Sequence, residues 1–282
     1  MTPNGLYLNP IVGRTGLGNM LFPWARAEVF SRHHGGKMLA PQWVNLFRVG
    51  PWLRRERDKR YYFSCFSNRQ YVHGLTRWII LHSAIHVPEE SALKHMVVNS
   101  DWRPFVIDFR GMDGFFSSFL LEHEYLFARL LETISPSIRL QLDSVLNKPF
   151  VAVHIRRGDF QTIGQAIGNE WYLKALDVAL ADTAPPRGLK KEDLLIRVFT
   201  DGDAESVRFI SLRPNVVVMP QAPAIFDLLM MSRSLALVGT SRSTFSMWAA
   251  FLGQMPSYWH PCAPPPALSI QSNTSAVTII NP

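Results

Sequence analysis

The sequence predicts an α/β protein, with a doubly wound parallel sheet in its second half and a more irregular first half. Three observations carry this expectation. Beyond residue 150, short apolar runs alternate with segments of helical period, the pattern of parallel strands joined by helices. The run Val151 to Phe160 is apolar apart from His154 until it ends in two arginines, a glycine and an aspartate. That is how a buried strand reads as it reaches the carboxyl edge of a sheet, where open α/β folds bind ligands. Near the amino end, an apolar run, a glycine-rich turn and a helical segment follow one another.

Leu6 to Val12 reads as the first strand and Gly13 to Met20 as a loop. Leu21, Trp24, Ala25, Val29 and Phe30 then recur at helical spacing within Leu21 to Arg32. Residues 38–115 show no clear period and read as strands, short helices and loops of an irregular first domain. Phe119 to Leu146 is helical again, with Pro136 starting a second helix. Lys148-Pro149 introduces the arginine-bearing strand, so a domain boundary is expected near residue 147, between an acceptor-side domain (1–147) and a nucleotide-binding one (148–282). Strand 150–155, helix 170–180, strand 194–199, helix 204–212, strand 216–219, helix 224–232, strand 235–238 and a last helix through Leu252 complete the alternation. Five prolines between Pro256 and Ala267 predict an extended tail lying on the surface.

Of 282 residues, 47% are hydrophobic and 18% charged, which excludes a disordered chain and predicts extensive burial. The net charge of +7 points to an anionic partner, with one dense cluster at Arg54, Arg55, Arg57, Lys59 and Arg60. Two cysteines, Cys65 and Cys262, make neither a disulfide framework nor a metal-binding pattern and fit a reduced, cytoplasmic setting. The first ten residues lack a basic region followed by an apolar stretch, and the apolar windows at 78–85 and 235–239 are far shorter than the ~20 residues that span a bilayer. The expectation is a chain that is soluble or peripheral, at the inner face of the membrane if it touches one.

Three strand ends present polar groups toward one edge: His154 to Asp159, Thr200-Asp201, and Thr240 to Thr244. Guanidinium matches phosphate in a two-pronged fork and keeps its charge, so the Arg156-Arg157 pair reads as a phosphate clamp. Ser243 and Thr244 open a helix, where hydroxyls and unpaired N–H groups hold phosphate. Each feature has a plainer reading. The arginines would then be a solvated strand end, the Arg-Gly-Asp a chance adhesion tripeptide, Ser243 and Thr244 plain N-caps, and the glycine-rich turn a chain reversal.

Together these segments resemble a known family. Gly16-Leu17-Gly18-Asn19-Met20, His154-Ile155-Arg156-Arg157-Gly158-Asp159, Val198-Phe199-Thr200-Asp201 and Asp227 to Trp248 are similar to the bacterial α-1,2-fucosyltransferases of glycosyltransferase family 11 and to their α-1,6- and protein O-fucosyltransferase relatives. Gly114 to Ser118 resembles the Gly-aromatic-aromatic stretch upstream of that arginine motif. The chain departs from the family at the glutamine missing before Met20, at the split Asp201-Gly202-Asp203, and at Met247 and Ala249 in place of Trp and Gly. The resemblance implies a two-domain GT-B fold and inverting, metal-independent transfer of L-fucose, or a related 6-deoxyhexose, from a GDP-sugar to a glycan hydroxyl, α-1,2 for a galactoside acceptor. It implies no cofactor, with GDP-fucose as donor substrate. By it, Arg156 contacts the β-phosphate with Arg157 beside it, His154 lies near the nucleotide, and Asp227 reads the guanine edge. Thr200 and Asp201 line the donor site, Ser243 and Thr244 hold phosphate oxygens, and Gly16, Gly18 and Asn19 approach the diphosphate from the first domain.

The chemistry needs a cationic group for the departing diphosphate and a carboxylate near the acceptor hydroxyl. Arg156 is the first, and Asp159 the candidate for the second, either as base or as the partner of an arginine. Two rival functions remain. Asp201-Gly202-Asp203 is a literal Asp-x-Asp of the kind that holds Mn²⁺ on a donor diphosphate in other glycosyltransferases, or else Asp203 and Glu205 simply favour a helix start. The basic stretch Arg48 to Arg60, with the aromatics Trp52, Tyr61, Tyr62 and Phe63, suits a nucleic-acid or membrane-surface binder, although Glu56 and Asp58 dilute it, and a lipid-linked glycan acceptor would explain it equally.

Overall fold

The computed structural model describes residues 5–13, 15–44, 62, 64–92, 103–145, 148–158, 160, 164–268 and 277–282. Asp159 and the basic cluster Arg54 to Arg60 lie outside these residues. The chain divides into two compact units, Met1–Leu46 with Tyr61–Ser135, and Phe47–Arg60 with Pro136–Pro282.

In the first unit, β1 (Leu6–Ile11) leads through Gly16 into α1 (Leu17–His34) and then β2 (Lys37–Met38). Helix α2 (Gly74–Ser83), β3 (Ile85–Pro88), β4 (Phe105–Arg110) and α3 (His123–Thr133) follow. All pairings are parallel, in the order β2-β1-β4-β3. The described residues of 38–115 are therefore more regular than their sequence suggests: β3 has only four residues, and β4 is buried at consecutive positions, so neither shows an alternating period. Helix α1 begins at Leu17, four residues before the predicted start, which moves Gly18 and Asn19 out of the loop and into the first helical turn. Its residues Leu17 to Val29 are almost all buried, Arg26 and Glu28 included, so no apolar stripe marks where it starts.

In the second unit, α4 (Pro136–Val145) precedes β5 (Phe150–Ile155), α5 (Asn169–Thr183) and β6 (Leu195–Thr200). Next come α6 (Arg208–Ser211), β7 (Val216–Val218), α7 (Ala224–Met231), β8 (Ala236–Val238) and α8 (Thr244–Gly253). The tail is not merely an extended surface segment. It adds two strands, β9 (Ser257–Trp259) and β10 (Val277–Ile279), and buries Tyr258 and Trp259. Each strand is only three residues long, too short to show a period, and β9 also lies between Pro256 and Pro261.

The six strands run parallel in the order β10-β9-β8-β5-β6-β7. From β5 the chain winds outward through β6 and β7, then returns to place β8 on the other side of β5. That reversal opens a crevice at the carboxyl ends of β5 and β8, the position where doubly wound sheets take ligands. Strand β5 is buried along its whole length, which is why it reads as one apolar run. Among the described residues no helix is long and apolar enough to cross a membrane.

Candidate functional site

The carboxyl end of β5 is held by side chains from its two neighbouring strands. From the end of β8, the fully buried Thr240 donates its hydroxyl to the His154 carbonyl at 2.6 Å and accepts the Arg156 backbone N–H at 3.1 Å. Tyr172 of α5 places its own hydroxyl 3.0 Å from the same oxygen. From the end of β6, Asp201 Oδ1 accepts the backbone N–H groups of Arg157 (2.7 Å) and Gly158 (3.1 Å). A Cβ on Gly158 would come within 2.7 Å of Asp201 Oδ2, so glycine is needed there for the carboxylate to reach the turn.

This turn sends the two arginines different ways. Arg157 is buried, donating to the Ile167 carbonyl (2.8 Å) and to the Asn169 side chain, with its guanidinium over the rings of Tyr172 and Phe209. Arg156 lies with its Nη1 3.5 Å from Asp201 Oδ2 and its guanidinium 5.1 Å from the Phe160 ring centroid, with 23% of its side chain exposed. Arg156 is therefore the guanidinium that can meet a ligand.

His154 lies beneath Arg156, buried, with Nδ1 2.6 Å from the Ser246 hydroxyl and the ring beside Phe245. Burial, and secondarily the Arg156 charge, push its pKa down to about 3, so the imidazole is neutral and its role is to orient. Ser246 Oγ also accepts the Thr240 N–H at 3.2 Å. Burial pushes the Tyr172 phenol up to about 12, which leaves it a neutral hydroxyl.

Ser243 is the N-cap of α8: it is buried and accepts the Ser246 N–H. Thr244, the first helical residue, is partly exposed at the crevice. Thr200 Oγ1 accepts the Gly202 N–H at 3.0 Å, which tightens the turn after β6. Asp203 accepts the Ser206 N–H at 2.9 Å and so caps the short helical turn Glu205–Val207. The two aspartates of the Asp-Gly-Asp thus serve different backbone segments. Among the described residues no three His, Cys, Asp or Glu side chains gather in a metal-holding group. Asp227 is partly buried in the first turn of α7.

The first sheet has its own reversal, between β1 and β4, and the glycine motif stands at it. Gly16 is the extended residue before α1, its carbonyl accepting the N–H groups of Asn19 and Met20. After β4, Gly114 and Phe115 take positive φ, and Phe22 packs edge-on against Phe115 and Phe116. The two segments flagged in the first half of the sequence therefore share one sheet edge. Thr240 and Ser246 lie within segments the sequence singles out, but nothing in it shows that they bond to β5; Tyr172 carries no signal of its own, and only the fold brings it there.

No protein-family model matches the chain, and no curated protein matches it. Among solved structures it is similar to the fucosyltransferase NodZ from Bradyrhizobium, at 16% identity over 87% of this chain and 92% of that one, with a TM-score of 0.53. It is likewise similar to NodZ alpha-1,6-fucosyltransferase co-crystallized with GDP, at 14% identity over 89% and 93%, with a TM-score of 0.56. The fold is GT-B. At these identities the likeness speaks for architecture, namely two Rossmann-like α/β units, each with a parallel sheet.

Proposed function

We propose that the chain is a fucosyltransferase that moves L-fucose, or a related 6-deoxyhexose, from its GDP-sugar to a glycan hydroxyl, with inversion and without a metal. The α-1,2 linkage to a galactoside is the finer expectation drawn from the sequence resemblance. One observation carries the reading: Arg156 stands half-open at the β5/β8 reversal, its backbone fixed by Thr240 and its side chain faced by Asp201. The GDP-bound NodZ of the same fold supports the choice of nucleotide.

Cleaving a glycosyl–phosphate bond leaves an oxocarbenium-like sugar and a diphosphate of growing negative charge. Arg156 stabilises that charge with a planar fork already held in place, so little reorganisation is needed during reaction. Thr244 and the opening turn of α8 add donors beside it, while Ser243 forms that turn. Arg157 contributes by holding the Ile167–Asn169 segment, and neutral His154 keeps the strand end in register without adding a second positive charge. Asp201 lines the site and orients Arg156, Thr200 shapes the turn behind it, and Asp227 reads the guanine edge. Gly16, Gly18 and Asn19 supply a close backbone approach to the diphosphate. Asp159 accepts the acceptor hydroxyl's proton or orients that hydroxyl.

Calorimetric titration with GDP, UDP and ADP tests the reading. GDP is expected to bind at least ~10-fold more tightly than UDP, because a site that hydrogen-bonds one base leaves polar groups unpaired against another. Preference for UDP overturns the donor assignment. Transfer that stops in EDTA and returns with Mn²⁺ overturns the metal-free mechanism.

A further inference from the structure

The turn that joins β8 to α8 is closed by the Ser243 N–H, which donates to the Thr240 carbonyl at 3.1 Å. Thr240, Ser241 and Ser243 are buried there, and each is engaged. Thr240 reaches across to β5, Ser241 donates its hydroxyl to the His260 carbonyl at 2.8 Å, and Ser243 caps α8. Arg242 is the exception on every count. It is exposed, and its side chain makes no hydrogen bond or ion pair with any described residue. Its φ is +65°, the left-handed conformation that the third position of such a turn gives to glycine or asparagine. An arginine held there carries a conformational cost that glycine would not.

The place of Arg242 gives that cost a use. Thr240 accepts the Arg156 N–H. Consecutive Cα atoms lie ~3.8 Å apart, so Arg242 starts at most ~7.6 Å from the residue that fixes the β5 arginine. An anion at this edge needs a second cation. Arg156 is faced by Asp201 at 3.5 Å, so one charge opposes the other. Arg157 is turned into the fold, and the neutral His154 adds nothing. The sequence places a further carboxylate, Asp159, just past the same strand end. A sugar nucleotide carries a negative charge on each phosphate, so Arg156 by itself leaves part of that charge unanswered. We propose that Arg242 is a donor-binding residue whose guanidinium acts together with Arg156 on the diphosphate. This role rests on the GDP-sugar reading and names the second cation of that same site.

Calorimetric titration of the full chain with GDP, guanosine and inorganic pyrophosphate tests it. Arg242→Gly removes the guanidinium and suits the backbone, so its melting temperature is expected to equal or exceed the parent's. Its affinity for GDP and for pyrophosphate is expected to fall at least ~10-fold, with guanosine unchanged because it brings no phosphate. Arg242→Lys keeps the charge without the planar fork and is expected to recover part of the loss. A folded Arg242→Gly variant that binds GDP and pyrophosphate as the parent does overturns the role of Arg242 and leaves the donor reading intact. Equal weakening toward guanosine also overturns it, because the residue would then shape the site rather than meet phosphate. A parent that prefers UDP overturns the guanine assignment alone, and pyrophosphate binding weakened by Arg242→Gly still upholds the phosphate role. A parent that binds neither nucleotide nor pyrophosphate overturns both.

Discussion

The two parallel sheets each reverse their strand order once, and the groups standing at the two reversals are of opposite kinds. Between β1 and β4 the edge is made of backbone and aromatic rings: Gly16 before α1, Gly114 and Phe115 after β4, and Phe22 packed against them. Between β5 and β8 the edge carries fixed charge, with Arg156 facing Asp201 over a turn stapled by Thr240. Charge also stands at the β1/β4 edge, but it is engaged within the fold: buried Arg26 of α1 donates to the Arg110 and Gly111 carbonyls at the end of β4 and pairs with Glu89 at 2.9 Å. Glu28, buried, accepts from Tyr71 (2.7 Å), Tyr125 (3.2 Å) and Arg129 (3.1 Å), a closed network about 16 Å along α1 from Leu17. One topology thus presents an edge whose buried arginine is spent on backbone carbonyls in one unit, and an edge with a partly exposed arginine in the other. A cation already engaged by the fold only shapes the backbone, whereas a partly exposed one can answer charge that grows during reaction.

The largest expected effect is at the charged edge. Arg156→Lys keeps the charge and loses the planar fork, so turnover should fall by ~10²-fold or more with the melting temperature nearly unchanged, as steady-state rates and a thermal melt would show. Arg157→Ala should do the reverse in kind. It leaves the Ile167 carbonyl and Asn169 without their buried partner, and chemical denaturation should register a loss of about 2–4 kcal/mol. Equal loss of stability in both variants would erase the distinction between the two arginines.

A second difference between the edges is their response to acid. Gly16 to Asn19 holds no titratable side chain, whereas the β5 edge rests on His154. In the folded chain that ring stays neutral down to about pH 3, against the ordinary value of 6.5. Between those values the unfolded chain binds the extra proton. Stability is therefore full above about pH 6.5 and declines as pH falls toward 3, by about 2 kcal/mol at pH 5. His154→Gln should flatten that part of the profile in urea titrations run from pH 7 to 4. An unaltered slope would remove His154 as its source.

The smallest effect is expected at the glycine edge. A Cβ on Gly16 meets nothing within 4 Å, and the residue's φ of −68° is open to alanine. Gly16→Ala should then melt like the parent chain. If that backbone is approached by a diphosphate, donor affinity should fall by about 10-fold through lost access alone. Normal affinity would leave the glycine a purely structural residue.

Strand β5 and the polar ends of β5, β6 and β8 were legible from residue types alone, because a parallel strand buried on both faces is a continuous apolar run and its end is marked by the first charges. Pro136 and the last helix were legible for the same local reason. Helix α1 was misplaced by four residues because a helix buried all round has no stripe to read. The two tail strands escaped because three residues carry no period. The family resemblance puts Arg156 on the phosphate with Arg157 beside it; what only the tertiary structure decided is that Arg157 turns inward while Arg156 stays partly exposed. They are adjacent and chemically identical, so no local pattern can separate them. Their fates depend on Asp201, Thr240 and the pair Ile167 and Asn169, which come from three separate places in the chain and meet only when β6, β8 and α5 close around β5. A buried strand is specified by its own residues, whereas the role of a charge is specified by whichever partners the fold brings within hydrogen-bonding reach.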